Sequence, residues 1–205
     1  MIDKTKLQKC EVIKMMPIIE DDKLFVKSGI TVLSALAGTG KSTYMKIKTK
    51  EFEKNNFNCV YFNADLADIE DSYILPDNIK DFGEILKEAD ENDIVIIDSL
   101  KMFCAKYNLD VMDNSDMIKL FLDLRNIVSK NKCSVIFVHH SFKEKKLKNA
   151  DEHLFGARAI EEQSDSVFLY DVSGNMKVIK NRLGLIRGSI FRDETLDDEF
   201  DKFLK

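Results

Sequence analysis

The chain has 205 residues, 44% hydrophobic and 33% charged, with a formal net charge of −5. That length suits one α/β domain whose core needs no disulfides, and the acidic balance counts against a large nucleic-acid footprint while leaving room for a local one. No stretch reaches the ~20 apolar residues of a membrane span, and the opening MIDKTKLQKC lacks the apolar run of a signal peptide, so a cytoplasmic protein without membrane contact is expected.

Residues 1–24 are weakly patterned and read as an amino-terminal arm, either packed on a neighbour or a loose lead-in. A domain is expected over 25–192. Ile30–Leu36 is an apolar, β-branched run that predicts a strand, and Lys41 to about Asn55 predicts a helix. Cys59–Phe62 is a second strand candidate. Helical spacing over Ile79–Ala89 places Ile79, Phe82, Ile85, Leu86 and Ala89 together. Ile94–Ile97 is a third strand, and Met117–Ser129 is an amphipathic helix with Leu120, Phe121, Leu124, Ile127 and Val128 on one face. Ser134–Val138, Val167–Tyr170 and Lys177–Lys180 complete the strands, the last two joined by a turn at Ser173–Asn175. Continuous apolar strands between helices predict a mainly parallel sheet covered on both faces, with an antiparallel hairpin at its carboxyl-terminal edge. Residues 193–205 read as an acidic amphipathic tail with Phe200, Phe203 and Leu204 on one side, either a cap for the domain or a partner peptide. Cys10, Cys59, Cys104 and Cys133 form no C-x-x-C pair and read as small apolar residues in a reducing compartment.

The strongest chemistry lies after the first of these strands. Ala37-Gly38-Thr39-Gly40-Lys41-Ser42-Thr43 follows a predicted strand and opens a predicted helix, the context of a phosphate-binding loop. Backbone N–H groups and the helix amino terminus wrap phosphates there. Lys41 neutralises charge at the β- and γ-phosphates, Ser42 offers a hydroxyl to Mg²⁺, and Gly40 admits the phosphate without a Cβ in the way. Measured back from Lys41, the usual first glycine is Ala35.

Ile94–Ile97 ends in Asp98, an acid at the tip of a buried strand, positioned to hold the Mg²⁺ hydration shell opposite Ser42. Cys59–Phe62 leads into Asn63-Ala64-Asp65, which makes Asp65 the candidate to orient the attacking water, with Asp68 and Glu70 close behind. Ser134–Val138 leads into His139-His140-Ser141, and His140, ahead of His139, is the candidate to hydrogen-bond the γ-phosphate and register its loss.

Taken in order, ALAGTGKST, YFNAD, IVIIDS, VIFVHHSFK, FGARAIEEQSDSV and VIKNRLG resemble the RecA-like ATPases of the RepA and DnaB type, plasmid and replicative hexameric DNA helicases. The resemblance spans roughly residues 25–190. It implies a RecA-like P-loop fold, ATP and Mg²⁺ as ligands, and ATP hydrolysis driving movement on single-stranded DNA in a homo-oligomer, a hexameric ring in the family. Lys41, Ser42, Asp98 and His140 match the family's positions, whereas Asp65 stands where the family usually has Glu. Lys180 and Arg182 match hairpin residues that reach the next subunit's site; an ordinary basic sheet edge is the alternative. The segment holding Lys143, Lys145, Lys146 and Lys148 matches the loop that touches single-stranded DNA; a solvated surface loop is the alternative. The competing function is an ATP-dependent switch or binding module with little or no unwinding, which Asp65 and the acidic charge favour.

Overall fold

The computed structural model describes residues 15–65, 71–141, 154–171 and 173–192. Its elements run β1 (Met16–Ile19), β2 (Asp22–Lys27), β3 (Ile30–Ala35), α1 (Lys41–Lys54), β4 (Asn58–Asn63), α2 (Ile79–Glu88), β5 (Asp93–Asp98), α3 (Leu100–Lys106), α4 (Asn114–Asn131), β6 (Ser134–His140), α5 (Arg158–Gln163), β7 (Ser166–Tyr170), β8 (Asn175–Asn181) and β9 (Ile190–Arg192). One sheet of seven strands, in the order β4-β5-β6-β3-β7-β8-β9, forms the frame, and β1 and β2 make a separate antiparallel pair. From β4 through β7 all neighbours are parallel; β8 and β9 run antiparallel at the edge.

The continuous apolar strands are buried on both faces because successive side chains alternate sides. In β6, Val135 and Phe137 enter one core with Phe82, Phe103, Phe121 and Leu124, from α2, α3 and α4. Ile136 and Val138 enter the other, with Tyr44, Met45 and Phe52 of α1 and Phe25 of β2. Each fully buried apolar side chain of this size contributes roughly 1.5–3 kcal/mol, so both layers bind tightly. The second core also explains β2. Phe25 packs edge-on against Phe52 and Phe168 at 5.3 and 5.1 Å between ring centroids, which fixes the hairpin against α1 and the sheet.

The expected strands and helices stand within a few residues of their predicted limits. The expected domain start at residue 25 falls inside β2, while residues 1–14 and the tail 193–205 lie outside the described residues. Five short elements had no clear pattern: β1, β2, α3, α5 and β9. α3 is one apolar triplet, Leu100, Phe103 and Cys104, on a helix of 7 residues, too short for its period to stand out. In the predicted turn Ser173–Asn175, the Asp171 carboxylate accepts from the N–H groups of Ser173 and Asn175, and Gly174 takes φ +80°.

Register decides what the fold brings together. Ala35 pairs with His140 on one side and Tyr170 on the other. Asp98 pairs with Asn63 and Val138. The carboxyl ends of β3, β4, β5 and β6 therefore finish at one end of the sheet, the place where ligands bind in open α/β folds.

Candidate active site

Leu36 leaves β3 and is 38% exposed, the first residue of a loop running to Gly40. Gly38 and Gly40 take φ +80° and +82°, backbone that costs other residues strain. Thr39 ties the loop down by donating its hydroxyl to the Leu36 carbonyl at 2.9 Å. Gly40 caps α1 without a side-chain hydrogen bond, and no acidic residue occupies the first helical turn. The amino-terminal N–H groups and the positive end of the helix dipole are thus left for an anion. Lys41, the first residue of α1, is only 8% exposed. Ala35 is buried, in extended strand backbone, with its methyl in the α1-side core. The missing first glycine therefore costs the loop nothing, because no left-handed backbone is needed there.

Asp98 is almost fully buried. Its Oδ2 accepts from the Tyr61 hydroxyl at 2.7 Å, and its Oδ1 has no hydrogen-bond partner among the described residues. The Ser42 hydroxyl lies near the same phenol. Tyr61 thereby stands next to both side chains expected to face Mg²⁺, and burial together with Asp98 pushes its phenol well above the usual range. A buried carboxylate oxygen without a partner is costly unless a cation or donor meets it. Together with Ser42, this donor set fits Mg²⁺, which binds through one or two carboxylates plus substrate phosphates.

Asp65 sits in the turn after β4, where its N–H and that of Ala64 donate to the Asp98 carbonyl at 3.3 and 2.6 Å. Its Oδ1 accepts from the Ser99 hydroxyl at 2.9 Å. Asp65 is thus fastened beside Asp98 at the phosphate end of the sheet. Asp68 and Glu70 lie outside the described residues.

His139 and His140 point into different surroundings, as successive strand residues must. His139 is buried: its Nε2 meets the Phe155 carbonyl, and its Nδ1 has no partner among the described residues. Burial pulls its pKa down to about 4. His140 is half-buried, close enough to Lys41, Asp65, Lys101 and Asp98 to feel their charge. Desolvation, then Lys41, hold its pKa below the usual value, so the imidazole is neutral near pH 7. Beyond β6, the Ser141 N–H donates to the Ala35 carbonyl at 3.0 Å and the Phe155 N–H donates to the His140 carbonyl at 3.1 Å. Ser141 and Leu154 also form an antiparallel bridge. The two ends of segment 142–153 are therefore joined beside His140. That segment, with Lys143, Lys145, Lys146 and Lys148, is outside the described residues.

Lys180 and Arg182 stand elsewhere. β8 runs antiparallel to β7, with Asn181 opposite Ser166, so both residues lie at the amino ends of β3 and β7, away from the chain's own phosphate loop. Lys180 donates to the carbonyls of Glu161 and Glu162 at 2.9 and 2.6 Å, and Arg182 pairs with the buried Asp165 at 2.7 Å.

Sequence reasoning missed Tyr61 and Ser99. Each adjoins a motif residue, but what makes it matter is a contact across strands that no spacing reveals. Lys101 was missed too; its ammonium lies 5.6 Å from the centre of the Phe155 ring.

Residues 57–146, somewhat less than half the chain, match the model of a family described as an AAA domain. The match begins after the phosphate loop and takes in Asp65, Asp98 and His140. Among solved structures, the ATPase domain of G40P matches with a TM-score of 0.60 and 11% identity, covering 82% of this chain and 83% of that one. No curated protein sequence matches the chain.

Proposed function

We infer, for a chain that is a RecA-like P-loop domain in its fold and in the order of its motifs, that it binds ATP with Mg²⁺ and hydrolyses it to act on single-stranded DNA. The observation that carries this reading is the buried Asp98, with one oxygen held by Tyr61 and the other without a partner, at the end of the strand facing Ser42. The chain fits a replicative hexameric DNA helicase of plasmid or phage type.

Each side chain has a task that its surroundings support. Lys41, at the uncapped amino end of α1, balances the β- and γ-phosphate charge alongside the loop N–H groups. Ser42 and Asp98 would hold Mg²⁺, which would neutralise charge at the phosphate oxygens. Ser99 donates to one Asp65 oxygen, leaving the other to accept a proton from the attacking water and aim its lone pair. His140, neutral, donates to a γ-phosphate oxygen and loses that bond after cleavage. Its carbonyl holds the Phe155 N–H, so a shift at His140 moves the base of the segment carrying Lys143, Lys145, Lys146 and Lys148, whose charges pair with DNA phosphates in a salt-sensitive way. Arg182 and Lys180 act on the nucleotide of a neighbouring copy, where a guanidinium stabilises transition-state charge.

A second reading, an ATP-gated binding module that turns over slowly, draws on Asp65. It is one methylene shorter than Glu, and Ser99 already occupies one of its oxygens. Steady-state hydrolysis at low salt, with and without single-stranded DNA, separates the two. The motor reading expects stimulation of about tenfold or more by DNA and a loss of roughly 10³-fold in Arg182→Ala, the usual scale for an arginine supplied in trans. ATP binding with negligible hydrolysis under all conditions would leave the binding module.

A further inference from the structure

Asp165 is fully buried between β3 and β7 and is shared by two guanidiniums. Its Oδ2 accepts from the Ile30 N–H at 2.9 Å. Its Oδ1 accepts from Arg182 at 2.7 Å and from Arg125, on α4, at 3.1 Å. Arg125 is anchored a second time on the Gln163 carbonyl. Its side chain is 25% exposed, against 43% for Arg182. Nearby acids do not even out this charge, because Glu161 is taken by Arg187 and Glu162 by Arg158, each at 2.7 Å. Asp165 therefore faces three cations, Arg125, Arg182 and Lys180, in a chain that is acidic overall.

We propose that Asp165 is an exchangeable anchor for Arg182, and that Arg125 is the stand-in cation that lets Arg182 leave for an anion outside the chain. This rests on the reading that Arg182 serves a neighbour's nucleotide and adds how its release is made possible. A buried carboxylate stripped of its only partner is strongly unfavourable. With a single guanidinium, Asp165 would hold Arg182 in place. With two, the more exposed one is free to go, while the doubly anchored Arg125 keeps the carboxylate paired. Arg125 and Asp165 are positioning residues here; neither touches nucleotide.

The test is a charge cycle on the full chain, read as DNA-stimulated ATP turnover, with circular dichroism to check folding. Arg125→Gln leaves Asp165 dependent on Arg182, so kcat falls about tenfold or more while KM for ATP, set at the far end of the sheet, stays put. Adding Asp165→Asn removes the need for any counter-ion, so the double variant returns to within about threefold of wild type. A merely structural pair lowers the urea midpoint of Arg125→Gln and leaves the kcat of its folded molecules unchanged. If Arg182→Ala abolishes turnover while Arg125→Gln leaves it unchanged, the anchor is overturned and the trans reading stands. If Arg182→Ala turns over like wild type, the trans reading falls and the anchor with it. Should Arg125→Gln alone fail to fold, the double variant decides: near wild-type turnover supports the anchor, and strong loss overturns it.

Discussion

Tyr61 connects the parts of the site that the sequence lists separately. Its hydroxyl donates to Asp98 beside Ser42 and is the only partner of the Asp98 side chain among the described residues. Tyr61→Phe removes a hydrogen bond to a charged group and strands a buried carboxylate. The nucleotide-free protein is expected to lose about 1.5–3 kcal/mol, which urea unfolding measures directly. Residues such as Lys41, Ser42, Asp98 and His140 were legible because their chemistry forces a fixed spacing from a strand end or a helix start. Tyr61, Ser99 and Asp165 were not, because their importance comes from partners on other strands and helices. Asp165 lies within a quoted motif, yet nothing in its neighbours along the chain announces Arg125 on α4.

At the scale of elements, the turn before α5 is the tightest constraint near the site. Gly156 takes φ +107°, and a Cβ there would lie 2.8 Å from the Val111 carbonyl oxygen and 2.9 Å from Ile160 Cδ1. The same carbonyl accepts from the Ala157 N–H at 2.8 Å, so it cannot easily retreat. Gly156→Ala is expected to cost roughly 2–3 kcal/mol or more, read as a lower urea midpoint. It also disturbs Phe155, on which His139 and His140 both rest. Long elements with a strong period, such as α4 at 18 residues, were readable to within a few positions. The short ones were not: β1, β2 and β9 depend on pairing partners, and a three-residue strand such as β9 carries no period at all.

For the molecule as a whole, His139 makes global stability respond to acid. Its folded pKa of about 4 lies below the ordinary value of 6.5, so between these limits the unfolded chain binds the proton and the folded chain does not. Stability is fully present above pH 6.5 and drains away as pH falls toward 4. His139 contributes up to roughly 3 kcal/mol of that loss, and His140 shifts in the same direction. Because the chain has no tryptophan, urea titrations followed by circular dichroism at pH 7 and pH 4.5 measure it. His139→Asn should shrink the difference between the two midpoints; an unchanged difference would assign the acid response to other groups.

The sheet itself has a direction. The phosphate loop ends its parallel strands at one extremity, and Arg182 stands at the other. If Arg182 completes a neighbour's site, a two-fold dimer fills both sites only when the two sheets lie side by side and antiparallel. With the sheets running the same way, the association is heterologous, head to tail. An open row of copies always keeps one unfilled site at one end and one unused arginine at the other. Only closure by a rotational symmetry fills every site, and a row whose rotation fails to close grows as a filament.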